Sequence, residues 1–251
     1  MKKHIPNLLT LCNLVCGVMA AVQASWGFLH RAAVLMVIGI LFDFLDGFAA
    51  RLLKVQSPMG KELDSLADVV TSGVVPGIIL YNIFHLSSGL SHNIVGYSDP
   101  IYWLRYLGFL LPAFAAYRLA KFNLDDRQGH SFLGLPVPSN ALIWAAIGTC
   151  LFHPDWAQVA LLPIPGIRHY IICNAGLIAI AVLSIVTDVL MVSEVPMMGL
   201  KFTSFGWKEN KLKYILLLGA AVLIVLFGIL GIALSIVWYI LLSILTQRRN
   251  A

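Results

Sequence analysis

The chain has 251 residues, 59% hydrophobic and only 12% charged, with a mean hydropathy of +0.86 and a formal net charge of +5. A soluble domain carries about a quarter charged residues, and the shortfall here runs the whole length. That excludes a soluble domain and points to a single all-α, polytopic membrane unit over residues 1–251. The basic residues punctuate apolar runs instead of forming one surface, which excludes nucleic acid as a partner and marks loops that stay in the cytoplasm beside anionic lipid.

Apolar windows predict membrane spans near 8–24, 32–53, 63–84, 101–122, 137–152 and 169–192. The first follows Lys2 and Lys3 and is long for a leader, so it is expected to be retained. The exterior loops, around 87–100 and 153–167, contain no Lys or Arg. A cytoplasmic loop over 193–213 mixes Met, Phe and Trp with lysines, which suits a segment at headgroup level. Residues 214–246 are almost unbroken in their apolarity. As one helix they would be roughly 50 Å long at ~1.5 Å per residue, against a ~30 Å hydrocarbon core. A hairpin of two short spans turning near Gly228 and Gly231 is predicted instead, giving a six-span core over 1–192 and eight spans in all. With the N-terminus inside, all but Arg31, Arg105 and Arg168 of the 17 Lys and Arg then fall in the cytoplasm. Seven spans would strand Arg248 and Arg249 outside, so both termini are expected inside.

Minor features read plainly. Cys12, Cys16, Cys150 and Cys173 match no zinc or disulfide spacing and are expected to be buried small hydrophobes. Gly73 and Gly77 form a small-xxx-small pair suited to helix packing. Asp99, Asp125, Asp126, Asp155 and Asp188, with Glu194 and Glu209, lie near loops or span ends and are expected to be solvated.

The acids within the spans are different. Asp43 and Asp46 are three apart, Asp64 and Asp68 four apart, so each pair shares a helix face. The eight-span topology places both pairs near the inner interface on antiparallel neighbours, joined through a Ser57-Pro58 turn. A carboxylate at membrane depth costs at least ~2.5–3.5 kcal/mol, so four together require a compensating charge. Oxygen ligands suit Mg²⁺ or Mn²⁺, with Ca²⁺ as a further hard cation, and four carboxylates balance two such ions. Mg²⁺ keeps positions open for substrate phosphate, which makes a diphosphate the natural co-ligand. Gly47 allows close approach to the backbone, Arg51 can fork onto phosphate oxygens, and Gly60 clears space one turn before Asp64.

The run Asp43-x-x-Asp46-Gly47-x-x-Ala50-Arg51, eight residues, then Gly60-x-x-x-Asp64-x-x-x-Asp68 resembles the motif of the CDP-alcohol phosphotransferases. Flanking stretches are similar to the phosphatidylserine synthase branch: Pro6-Asn7-Leu-Leu-Thr10, Ser65 to Pro76, Arg118-Leu-Ala-Lys-Phe-Asn123 and Gly134-Leu-Pro-Val-Pro138. That similarity covers about residues 5 to 140. It departs at Thr71-Ser72-Gly73, where the branch shows Ser-Phe-Gly, and at Lys121, where it shows Arg.

The resemblance implies a transferase that moves the phosphatidyl group of CDP-diacylglycerol to L-serine and releases CMP. It implies a two-cation centre on Asp43, Asp46, Asp64 and Asp68, with Asp68 as catalytic base. The CDP site would comprise Asp43, Gly47, Ala50, Arg51, Gly60 and Asp64. Arg118, Lys121 and Asn123 are candidates for the serine carboxylate, and equally a positive-inside flank with an Asn helix end. A homodimer in the cell membrane, with its active site at the cytoplasmic face, is also implied. Two alternatives stay open: the same chemistry with glycerol 3-phosphate, inositol or inositol phosphate as acceptor, and a cation transporter with an intramembrane acidic site.

Overall fold

A computed structural model describes residues 4–55, 57–90, 100–124, 132–152, 173–199 and 206–250. The expected loop at 153–167, most of that at 87–100, and Asp99, Asp125, Asp126 and Asp155 lie outside the described residues. The described residues form an all-α bundle of long apolar helices, six of them long and apolar enough to cross a membrane.

The first two helices, α1 (Ile5–Ser25) and α2 (Leu29–Leu53), fold back on each other through Trp26-Gly27-Phe28, with Gly27 at φ +81°. Small residues line their seam: Ala20 and Ala24 on α1, Ala32 and Ala33 on α2, all buried. Their outward faces keep large apolar residues exposed, as expected of helices that meet lipid. Lys54 ends α2 in the left-handed region (φ 54°), where its N–H bonds the Arg51 carbonyl.

The next helix, α3 (Pro58–Asp68), starts on a strong signal. Ser57 caps it by accepting from the Gly60 N–H at 3.0 Å, and Pro58 occupies the first turn, where its missing N–H costs nothing. The rod continues through a π turn (Val69–Val74) into α4 (Val75–Leu90). Pro76 has no N–H to give Ser72 four residues back, so the ladder widens just ahead of it. Pro112 acts similarly in the following rod, where α5 (Pro100–Trp103) and a 3₁₀ stretch (Leu104–Phe109) precede α6 (Leu110–Leu124). These two rods touch backbone to backbone. A Cβ on Gly77 would lie 2.5 Å from the Gly108 carbonyl, and one on Gly73 would lie 3.2 Å from the Ala115 Cβ. The Gly73–Gly77 stripe is therefore used inside the chain.

At the centre stands α7 (Val137–Phe152), buried along almost its whole length, with Trp144 fully enclosed. A helix apolar all round belongs in the core, and this one carries no lipid-facing stripe. The next helix, α8 (Asn174–Val192), packs beside it. Two short strands, β1 (Phe132–Leu133) and β2 (Pro196–Met197), pair antiparallel and tie the entry of α7 to the exit of α8. Gly134 makes this closure fit: its φ is +74°, and a Cβ there would meet the Met191 carbonyl at 2.6 Å.

The C-terminal stretch is the predicted hairpin, α9 (Trp207–Phe227) and α10 (Ile229–Asn250), turning at Gly228 with φ 58°. Both helices outrun the apolar stretch, because helix continues into the Lys-rich and Arg-rich flanks that a hydropathy window scores as loop. Much of the expected 193–213 loop is thereby strand or helix.

Two expectations are corrected. Asp188 is not solvated: it faces inward on α8 at 2% exposure, accepting from Asn140 Nδ2 at 3.1 Å, while Trp144 Nε1 donates to Asn140 Oδ1 at 3.1 Å. Nearness to a helix end in sequence said nothing about which face it occupies. Cys150 is buried as expected, but Cys12 and Cys16 are half-buried and Cys173 is exposed, because each lies on a helix face or end that the core does not cover.

Candidate active site

After the short turn at Ser57, the second half of α3 brings Asp64 and Asp68 to the level of Asp43 on α2. Asp43, Asp64 and Asp68 each place a carboxylate oxygen within 4.8 Å of the others. Asp46 stands beside this trio. Its Oδ2 accepts a hydrogen bond from Thr10 Oγ1, and it lines the adjoining cleft together with Asp64. Asp46 and Asp68 are buried, Asp43 and Asp64 half-buried. The expected convergence is thus three acids plus one.

The cluster has no internal charge balance. Among the described residues the ion pair found is Lys121–Glu194, which leaves these acids without a basic side chain. Two like charges about 4 Å apart repel by roughly 4 kcal/mol at an effective dielectric of 20. Asp64 Oδ1 is buried and has no hydrogen-bond partner among the described residues. A cluster made only of carboxylates, with one buried oxygen lacking a donor, fits a hard divalent cation.

The π turn sits directly after Asp68, where such irregularities commonly mark functional positions. It places Thr71 between α1 and α2, with its Oγ1 donating to the Asn13 carbonyl at 3.2 Å. Gly17 on α1 and Gly39 on α2 both clear room for Thr71, since a Cβ on either would strike it. These glycines let three helices meet at the level of the acids.

Beside the acids opens a cleft of about 860 Å³, walled by Thr10, Asp46, Gly47, Ala50, Arg51 and Gly60. Gly47 has open space where a side chain would be, the nearest atom being Arg51 Nη2 at 4.0 Å. Arg51 anchors its Nε on the Gly47 carbonyl at 2.9 Å, leaving the outer guanidinium N–H groups to face the cleft. Gly60 differs from Gly47. A Cβ there would lie 3.1 Å from Ser57 Oγ and 3.2 Å from Asn7 Oδ1, so its bareness serves the seating of α3 on α1.

The three acceptor-binding candidates separate. Lys121 pairs with Glu194 at 3.2 Å, both at the surface. Asn123 donates to Ser65 Oγ at 2.9 Å and its carbonyl accepts from Lys61 Nζ at 2.9 Å, which fastens the end of α6 to α3. Arg118 alone is held in reserve: it is 8% exposed, and its Nε has no partner among the described residues. It lines a small crevice with Lys121, Met191 and Ser193.

Thr10 and Asn13, which grip Asp46 and Asp68, carry no role in the motif. The signal that could have found them is their spacing of three on an otherwise apolar span, since polar side chains at membrane depth need partners.

The sequence profile of the CDP-alcohol phosphatidyltransferases matches residues 3–246. A CDP-diacylglycerol–serine O-phosphatidyltransferase of Bacillus subtilis is 32% identical over 162 residues, covering 59% of this chain and 82% of that protein. One from Helicobacter pylori is 36% identical over 140 residues, covering 55% of this chain and 54% of its own length. An archaetidylserine synthase of Methanothermobacter thermautotrophicus is 28% identical over 161 residues, covering 63% of each chain. Against the latter two, the match spans less than two thirds of the relative.

Proposed function

We propose that this chain, which belongs to the CDP-alcohol phosphatidyltransferase family, transfers the phosphatidyl group of CDP-diacylglycerol to the hydroxyl of L-serine, giving phosphatidylserine and CMP. The observation that carries the reading is one of placement. An oxygen-only acid cluster with an unbonded Asp64 oxygen opens beside a cleft bearing Gly47 and Arg51. The choice of serine follows the names of the relatives above.

Divalent cations, Mg²⁺ or Mn²⁺, held by Asp43, Asp46, Asp64 and Asp68 would supply the positive charge that neutralises the diphosphate and the departing CMP. Gly47 and Ala50 admit the nucleotide against the backbone of α2. Arg51, rooted on the Gly47 carbonyl, turns its free N–H groups to the phosphate oxygens. Asp68 accepts the serine hydroxyl proton as that oxygen attacks the phosphorus of the phosphatidyl group. The phosphorus–oxygen bond to CMP breaks, and CMP leaves with the electron pair. Arg118 meets the serine carboxylate, since its neighbours Lys121 and Asn123 are engaged elsewhere. The acyl tails stay in the bilayer. Arg51, Lys54, Lys61, Arg118 and Lys121 gather at the end of the bundle that carries the site, which supports a cytoplasmic face. A second copy of the chain, as in a homodimer, would need a surface other than the Gly73–Gly77 stripe.

The test is CMP release from CDP-diacylglycerol by the purified chain in nanodiscs, with serine, inositol, glycerol 3-phosphate and inositol phosphate as separate acceptors. Serine is expected to support release. Release with another acceptor alone rejects serine and keeps the family chemistry, whereas cation flux without any CMP release rejects the enzyme. Arg118→Ala should raise the KM for serine roughly tenfold or more, as loss of a charged hydrogen bond does, with the KM for CDP-diacylglycerol nearly unchanged. Equal effects on both substrates reject the role of Arg118.

A further inference from the structure

Asn13 lies on α1 one turn beyond Thr10 and is fully buried. Its Nδ2 donates to Asp68 Oδ1 at 3.2 Å, and its backbone carbonyl accepts from Thr71 Oγ1 at 3.2 Å. Its own Oδ1 is buried with no partner among the described residues. That oxygen rests against Gly39, where an added Cβ would come within 2.9 Å of it. A residue serving only to fill this junction would not need an amide, because an apolar side chain fills space without burying an unpaired acceptor. Turning the amide over offers no remedy. It would set Oδ1 against Asp68 Oδ1, two acceptors with no proton between them. The amide therefore sits in the orientation that serves Asp68 at its own expense.

We propose that Asn13 is a positioning residue of the cation site: by holding Asp68 Oδ1 it fixes the carboxylate that would join Asp43 and Asp64 in holding a divalent cation. The inference rests on the acids being cation ligands, as in the reading above, and does not depend on serine as the acceptor. Asp43, Asp64 and Asp68 come from α2 and α3, and a cation held between two helices needs their carboxylates set at fixed rotations. The third helix provides that setting for Asp68. Mg²⁺ demands near-octahedral geometry at about 2.0–2.1 Å, so it responds to small rotations of a ligand. Removing a side chain that orients a metal ligand costs about 10–100-fold in metal affinity or activity.

The experiment measures Mn²⁺ binding to the full chain in nanodiscs, without either substrate, from the loss of the free Mn²⁺ resonance in electron paramagnetic spectra. Asn13→Leu and Asn13→Ala, one keeping an apolar branch in place of the amide and one removing it, should each weaken Mn²⁺ binding about 10–100-fold. Thr71→Val removes the bond to the Asn13 backbone and keeps the amide, so its affinity should stay close to that of the parent chain. At saturating Mn²⁺ the Asn13 variants should lose kcat while the KM for CDP-diacylglycerol holds. Unchanged Mn²⁺ affinity in both Asn13 variants overturns the proposal, as does an equal loss in Thr71→Val. A parent chain that binds no Mn²⁺ removes it together with the cation reading. Tight Mn²⁺ binding by a chain that fails to use serine removes the acceptor assignment and leaves the role of Asn13 intact.

Discussion

Gly47 and Gly60 are indistinguishable as letters in a motif, yet they do different work. Gly47 opens onto the cleft with only the Arg51 guanidinium at 4.0 Å, whereas Gly60 is bare because Ser57 and Asn7 crowd it. The difference yields a prediction of opposite signs. Gly47→Ala replaces a glycine inside α2, so it should stabilise the helix by about 0.5–1 kcal/mol. The same methyl intrudes where the nucleotide is proposed to lie and should raise the KM for CDP-diacylglycerol. Melting curves and CMP release on one preparation check both, and a methyl that leaves the KM untouched would remove the nucleotide from this wall. At this scale the sequence singles out the four acids and Arg51 by the charge of their side chains and Gly47 by having none, and the fold sets them in or beside one cleft. It could not rank Arg118, Lys121 and Asn123, because their availability depends on Glu194, Ser65 and Lys61, partners supplied by distant parts of the chain.

The two rods that contain Pro76 and Pro112 show how an element's irregularity serves its contacts. Each proline lacks the N–H for the carbonyl one turn back, and beside these positions Gly77 meets the Gly108 carbonyl at backbone distance while Gly73 makes room for the Ala115 Cβ. Hydropathy marks both rods as spans, but it is blind to a π turn or a 3₁₀ stretch, which come from a missing N–H and not from apolarity. Gly77→Ala forces a methyl to 2.5 Å from a carbonyl that belongs to a rigid helix. Overpacking of this kind costs typically about 1–3 kcal/mol, and the melting temperature should fall while the KM values of the remaining folded protein stay put. A melting temperature equal to the parent's would mean the rods part easily. The same blindness explains Asp188: its place three residues before Met191 on α8 says helix, and only the face turned toward Asn140 says buried.

For the whole molecule, the uncompensated acids make the cation part of the fold as well as of the chemistry. A ligand that binds only the folded chain stabilises it, by about 2.7 kcal/mol at a hundredfold excess over its Kd. Exhaustive chelation should therefore abolish CMP release and lower the melting temperature, with Mg²⁺ or Mn²⁺ restoring both. Turnover that survives chelation would end the cation reading. The amino-acid order by itself determined the membrane class, the helix positions, the C-terminal hairpin and the identity of the acids, because apolar run length, positive flanks and i+3 or i+4 spacing are local properties. Only the tertiary structure decided that Asp46 stands apart in the grip of Thr10, that Asn13 holds Asp68, that β1 and β2 close the end of the bundle, and that α7 is its core. Those outcomes depend on which faces of distant helices meet, and a face gains its partner only when the chain is folded.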